Sequence, residues 1–142
     1  MAGRKSSPAR TSALQYVLEM CSKEKIPYRL LPSGIVDLET QTKKGHWIPV
    51  KVMGGDGSFF KIRKSYRNLK DVRIIFVWDV FETPKAIIMN LEQAFKILGP
   101  QPLETEAWKK NGNYSWSSAT GVPSSRKRMM LSYQDKWHRL TQ

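Results

Sequence analysis

The sequence predicts a single α+β (α/β) domain in which a mixed sheet is flanked by helices. Three observations carry that expectation: an amphipathic helical stretch near the start, a series of short alternating or β-branched runs after it, and a capped amphipathic helix directly behind the last run. At 142 residues the chain has the length of one domain, able to bury about two thirds of the surface it exposes unfolded. Hydrophobic residues at 40% suffice for a packed core. The organisation reads as a flexible basic leader over 1–10, a core over 11–99, and a tail over 100–142 whose loop and terminal helix pack on that core.

The first helix reads from Pro8 to Lys25, with Thr11 or Ser12 as its N-cap and Leu14, Val17, Leu18 and Cys21 as one buried stripe. Pro27 ends it, and Tyr28 to Leu31 reads as an edge strand. A turn at Ser33 and Gly34 leads into Ile35 to Val52, two short strands joined by Lys43, Lys44 and Gly45. Alternate side chains of a strand share a face, so Asp37 and Glu39 point one way and Val36 and Leu38 the other. By the same rule Pro49 and Lys51 lie opposite Ile48, Val50 and Val52.

Gly54 to Gly57 reads as a turn, since it lacks the Lys-Ser/Thr of a phosphate loop, and Ser58 to Arg63 as a further strand. Val72 to Val80 is apolar and β-branched, which predicts a central strand buried on both faces. Glu82 to Pro84 turns the chain into a strand over Lys85 to Met89. Asn90 then caps a helix, with Gln93 completing a capping box, Leu91, Ala94, Phe95 and Leu98 as its stripe, and Gly99 and Pro100 as its stop. Pro100 to Ser125 has no period and predicts a long loop carrying Trp108 and Trp116. Tyr133 to Leu140 reads as a closing helix that docks through Trp137 and Leu140.

Lys and Arg outnumber Asp and Glu by 24 to 12, for a formal charge of +12. A surplus of this size points to a polyanionic partner, DNA or RNA, held mainly through salt-sensitive phosphate contacts. Lys61, Arg63, Lys64, Arg67, Lys70 and Arg73, interleaved with Phe59 and Tyr66, form a candidate backbone-binding edge, which reads equally as solvated charge. Lys43 and Lys44, and Arg126, Lys127 and Arg128, add two basic clusters. The single cysteine, Cys21, excludes an internal disulfide and a multi-cysteine metal site. With no apolar run of about 20 residues and no secretory signal, the expected setting is intracellular: cytoplasmic, or nuclear in a eukaryote.

One constellation suggests chemistry, Asp37 on the first strand of the hairpin and Lys51 near the end of the second. With a helix before them and a further strand, an apolar strand, another strand and a capped helix after, the order from about Ala13 to Leu98 resembles the PD-(D/E)XK nuclease superfamily, the restriction-endonuclease-like fold. It is most similar to small stand-alone members whose second motif often reads Gln-Val-Lys. The resemblance implies a DNA endonuclease dependent on Mg²⁺ (or Mn²⁺), with Asp37 binding the metal. The Val50 carbonyl is then a second ligand, and Lys51 orients the attacking water and stabilises the charge that develops.

Pro49 departs from the family pattern: it stands where a second acid or glutamine is expected and offers no side-chain oxygen. Glu39 is the candidate replacement, with Glu19 and His46 as further donors. Two other readings stand beside hydrolysis. One is a degenerate nuclease fold that binds nucleic acid through cations and stacking aromatics without cutting; the other is a basic protein-interaction module, such as a homodimer. On the last view Asp37 and Lys51 are a plain cross-strand ion pair.

Overall fold

The computed structural model describes residues 8–31, 36–55, 60–63, 66, 68–69, 71–78, 81–98, 106–111, 113–116 and 124–141. Helix α1 spans Pro8–Lys23. Pro8 takes its first position, where a fixed φ and a missing N–H cost nothing, so Thr11 and Ser12 lie inside the helix rather than at its cap. Ala13, Val17 and Cys21, four apart, form its fully buried line. The helix ends in a Schellman motif: Ile26 N–H donates to Cys21 O at 2.8 Å and Lys25 N–H to Ser22 O at 3.3 Å. Lys25 holds the left-handed position this requires, with φ 58°.

The strands are β1 (Tyr28–Leu30), β2 (Leu38–Gln41), β3 (Trp47–Gly55), β4 (Phe60–Arg63), β5 (Arg73–Trp78), β6 (Lys85–Asn90) and β7 (Asn113–Trp116). Five of them form one mixed sheet in the order β1-β2-β3-β5-β6. Only β3 and β5 run parallel, Val50 facing Arg73 and Gly55 facing Trp78. The remaining neighbours are antiparallel. The fold is thus the expected single-domain α+β arrangement, with the acid strand and the lysine strand side by side.

Each face of the sheet carries its own core. On one, Ala13, Val17 and Cys21 of α1 pack with Trp137 and Leu140 over Leu38, Val50, Val52, Ile75, Val77, Ala86 and Ile88. On the other, Met53, Ile74, Phe76, Ile87 and Met89 lie under helices α2 (Leu91–Leu98), α3 (Glu106–Asn111) and α4 (Ser124–Leu131). β5 is covered on both faces, as its run of β-branched residues demands. Helix α2 starts with the capping box: Gln93 N–H donates to Asn90 Oδ1 at 2.8 Å and Asn90 N–H to Gln93 Oε1 at 2.9 Å.

The tail departs from expectation. The stretch read as a loop contains α3 and β7, and β7 pairs antiparallel with β4, Phe60 opposite Trp116 and Arg63 opposite Asn113. β4 therefore belongs to a separate two-stranded sheet and not to the main one. Arg126, Lys127 and Arg128 lie on α4, and the closing helix is a short 3₁₀ turn over Trp137–Thr141, anchored as expected by buried Trp137 and Leu140. Between them the chain runs along the outer edge of β6, where Ile88 N–H donates to Tyr133 O at 3.1 Å and Asp135 N–H to Ala86 O at 2.7 Å. These bonds occupy an edge that would otherwise be open to other strands. Among the described residues no helix is long and apolar enough to cross a membrane.

Candidate functional site

Asp37 sits one residue before β2, where the chain leaves the ladder while β3 runs on. Leu38 is the last β2 residue in register, opposite Val50. Beyond it, Asp37 N–H donates to Val50 O at 3.0 Å. The next donor of β3, Val52 N–H, meets the Asp37 side chain, bonding Oδ2 at 2.8 Å. The carboxylate thus stands in for a missing rung of backbone, sparing a buried N–H the cost of going unpaired.

Lys51 lies between the two valines and alternates to the opposite face, with Nζ 3.6 Å from Asp37 Oδ2. The Asp37 side chain is 6% exposed and that of Lys51 17%, so the charges meet in a partly dry setting where they attract more than on an open surface. The structure therefore brings the acid and the lysine together. Lys51 presents a cation beside the strand end, a group able to hold a phosphate oxygen.

The other expected ligands go elsewhere. Pro49 faces Glu39 across the ladder. Glu39 Oε1 accepts from Arg29 Nε at 2.7 Å. Glu19 is exposed on α1, which covers the face opposite Lys51. His46 is exposed in the hairpin turn, its backbone N–H donating to Thr42 Oγ1 at 3.1 Å. The Asp37 carboxylate and the Val50 carbonyl are hard oxygens of the kind Mg²⁺ takes, but both already accept ladder bonds. Among the described residues no group of three or more His, Cys, Asp or Glu could hold a metal ion. Asp37 and Val50 would fill two positions of an octahedral Mg²⁺ or Mn²⁺ shell, and a site here would need a further donor.

Of the basic residues, Lys43 and Lys44 are exposed at the hairpin tip, which Lys43 N–H ties to Thr141 O at 2.9 Å. Arg128 is exposed on α4. Lys61 and Arg63 lie on β4, and Arg126 and Lys127 on α4; their side chains fall outside the described set. Lys64, Arg67 and Lys70 lie outside the described residues altogether. Arg73 is half-buried: Nη1 donates to Asp71 O at 2.8 Å, and burial lowers its pKa, opposed by Asp71 and reinforced by Arg139.

Sequence reasoning missed one feature of this face. The Arg29 guanidinium lies over the Trp47 ring, 4.2 Å from its centroid, while its Nε holds Glu39. Strand alternation places Trp47 on the face of Lys51, but the register of β1 that delivers Arg29 leaves no local signal. No protein-family model, curated protein or solved structure matches the chain.

Proposed function

We propose that this chain is a nucleic-acid-binding protein on a restriction-endonuclease-like sheet, with the Asp37 and Lys51 pair at its centre. One observation carries the reading: the acid and lysine that the resemblance pairs lie 3.6 Å apart on adjoining segments. The element order agrees with it, since α1 packs on β3, the acid and lysine strands are antiparallel neighbours, and an apolar strand runs parallel beyond them. The charge of +12 supplies the attraction for DNA, or for RNA by the same phosphate chemistry. Buried Cys21 suits a reducing, cytoplasmic setting.

Two forms of this reading each have an observation in favour. Endonucleolytic hydrolysis of phosphodiester bonds is favoured by the partial access of Lys51 beside a carboxylate; it needs a further oxygen donor and Mg²⁺ or Mn²⁺. Binding without cleavage is favoured by the structural bond of Asp37 to Val52 N–H and by the engagement of Glu39 with Arg29.

The test incubates purified protein with plasmid and with short single-stranded and duplex oligonucleotides, in Mg²⁺, Mn²⁺ or chelator. Wild type is compared with Asp37→Asn and Lys51→Met. Metal-dependent cutting lost in both variants establishes the endonuclease. Cutting that survives both assigns the activity to a contaminant, and salt-sensitive binding without cutting selects the binding form. Absence of binding even at low salt rejects the proposal and leaves a basic protein-interaction module.

A further inference from the structure

Strand β2 and the start of β3 have one face packed on α1 and the 3₁₀ turn, and β1 extends the sheet beyond them with all three residues exposed. Among the described residues the other face of this half of the sheet does not belong to the core under α2, α3 and α4, which takes in β3 only at Met53. Trp47, Pro49 and Lys51 follow one another along that face, each half-buried. A strand rises about 3.3 Å per residue, so Trp47 and Lys51 stand about 13 Å apart along it.

Two contacts set the arrangement at the Trp47 end. Arg29 lies over the indole at 4.2 Å, its Nε donates to Glu39 at 2.7 Å, and its side chain is 54% exposed. The guanidinium is therefore backed by an aromatic ring and pinned through Nε by a carboxylate. The Nη groups carry its other donors. Glu39 and Asp37, the two acids described on this face, are each matched by a cation, Arg29 and Lys51. Lys43 and Lys44 continue the positive charge at the hairpin tip beyond Trp47.

We propose that Arg29, set over Trp47 and held there by Glu39, is a stacking platform for a base of single-stranded nucleic acid, with Lys51 taking a phosphate further along the same strand. The inference rests on the nucleic-acid reading above and gives its centre a route of approach. A guanidinium plane accepts any base by stacking, so the platform selects single strands, whose bases are available, over duplexes, whose bases are not. Glu39 then serves as the clamp of an arginine and not as a metal ligand.

The measurement is fluorescence anisotropy of a labelled single-stranded 15-mer, as DNA and as RNA, and of its blunt duplex, in chelator and over a salt series. Arg29→Ala weakens single-strand binding roughly 5- to 150-fold, the range for losing one stacked base, and leaves the slope of log K against log[salt] nearly unchanged, because the phosphate contact belongs to Lys51. Arg29→Lys does not restore the affinity, because an ammonium offers charge without a plane. Glu39→Gln falls between wild type and Arg29→Ala. Duplex binding changes less than about threefold throughout. Arg29 is an exposed residue of a three-residue edge strand, so these variants fold, which circular dichroism checks.

Single-strand affinity unchanged in Arg29→Ala, or full affinity in Arg29→Lys, overturns the platform and leaves a packing contact. A wild type that binds no nucleic acid at low salt overturns instead the reading on which the platform rests.

Discussion

Replacing Asp37 separates what its carboxylate does for the fold from what it does in chemistry. In Asp37→Ala the Val52 N–H, bonded at 2.8 Å on a residue only 1% exposed, loses its acceptor in a place water does not reach. An unpaired buried donor costs about 1–3 kcal/mol. Lys51 loses its counter-charge as well, a smaller penalty because its side chain is 17% exposed and partly hydrated. The sum is about 2–4 kcal/mol of stability. Asparagine in the same position keeps an oxygen for Val52 and loses only the charge, so Asp37→Asn costs about 1 kcal/mol. Urea unfolding followed by tryptophan fluorescence measures both, and a double-mutant cycle with Lys51→Met isolates the ion pair at about 0.5–1.5 kcal/mol. Equal destabilisation by alanine and asparagine would refute the argument, since the backbone bond would then carry no weight. The contrast also makes Asp37→Asn the informative variant for nuclease assays, because its fold is retained while its charge is lost.

Three further expectations follow from the geometry. Burial pushes the Cys21 thiol up to about 11 from 9.0. A folded-state pKa above the unfolded one means full stability below about pH 9 and loss as pH rises towards 11, of order 2–3 kcal/mol. Cys21→Ala should flatten that part of the pH profile in parallel denaturation curves, and an unchanged slope would count against it. Removing either half of the α2 capping box, by Asn90→Ala or Gln93→Ala, costs about 1 kcal/mol in thermal unfolding, with the pair of changes less than additive because the two bonds are reciprocal. Lys25→Gly relieves a left-handed residue at φ 58° and should stabilise by about 0.5–1 kcal/mol; a loss of stability there would mean that the Lys25 side chain contributes more than its backbone strain costs.

Those elements whose stability is written locally were legible in the sequence. Alternation and β-branching announced β5, a reciprocal Asn90 and Gln93 pattern announced α2, and a lysine-lysine-glycine turn announced the β2 and β3 hairpin, so Asp37 and Lys51 could be placed near each other, although Asp37 lies one residue outside β2. What escaped depends on partners far away in the chain. β7 is a strand because Phe60 to Arg63 lies beside it, and nothing in Asn113 to Trp116 says so alone. Glu39 was expected beside the acid, but the choice between a metal and Arg29 is made by the register of β1. The bond from Val52 to Asp37 likewise arises from where β2 stops, a boundary that composition does not mark.

The core behind the sheet joins the two extremes of the described chain. Tyr16 of α1 meets Trp137 edge to face at 6.2 Å, Leu140 is fully buried, and Thr40 Oγ1–H donates to Leu140 O at 3.2 Å. A contact closing so much intervening chain raises the entropic barrier to folding. During synthesis Trp137 and Leu140 emerge after every other member of that core. Until then the apolar surface of α1 and β3 lacks the cover these two side chains give it.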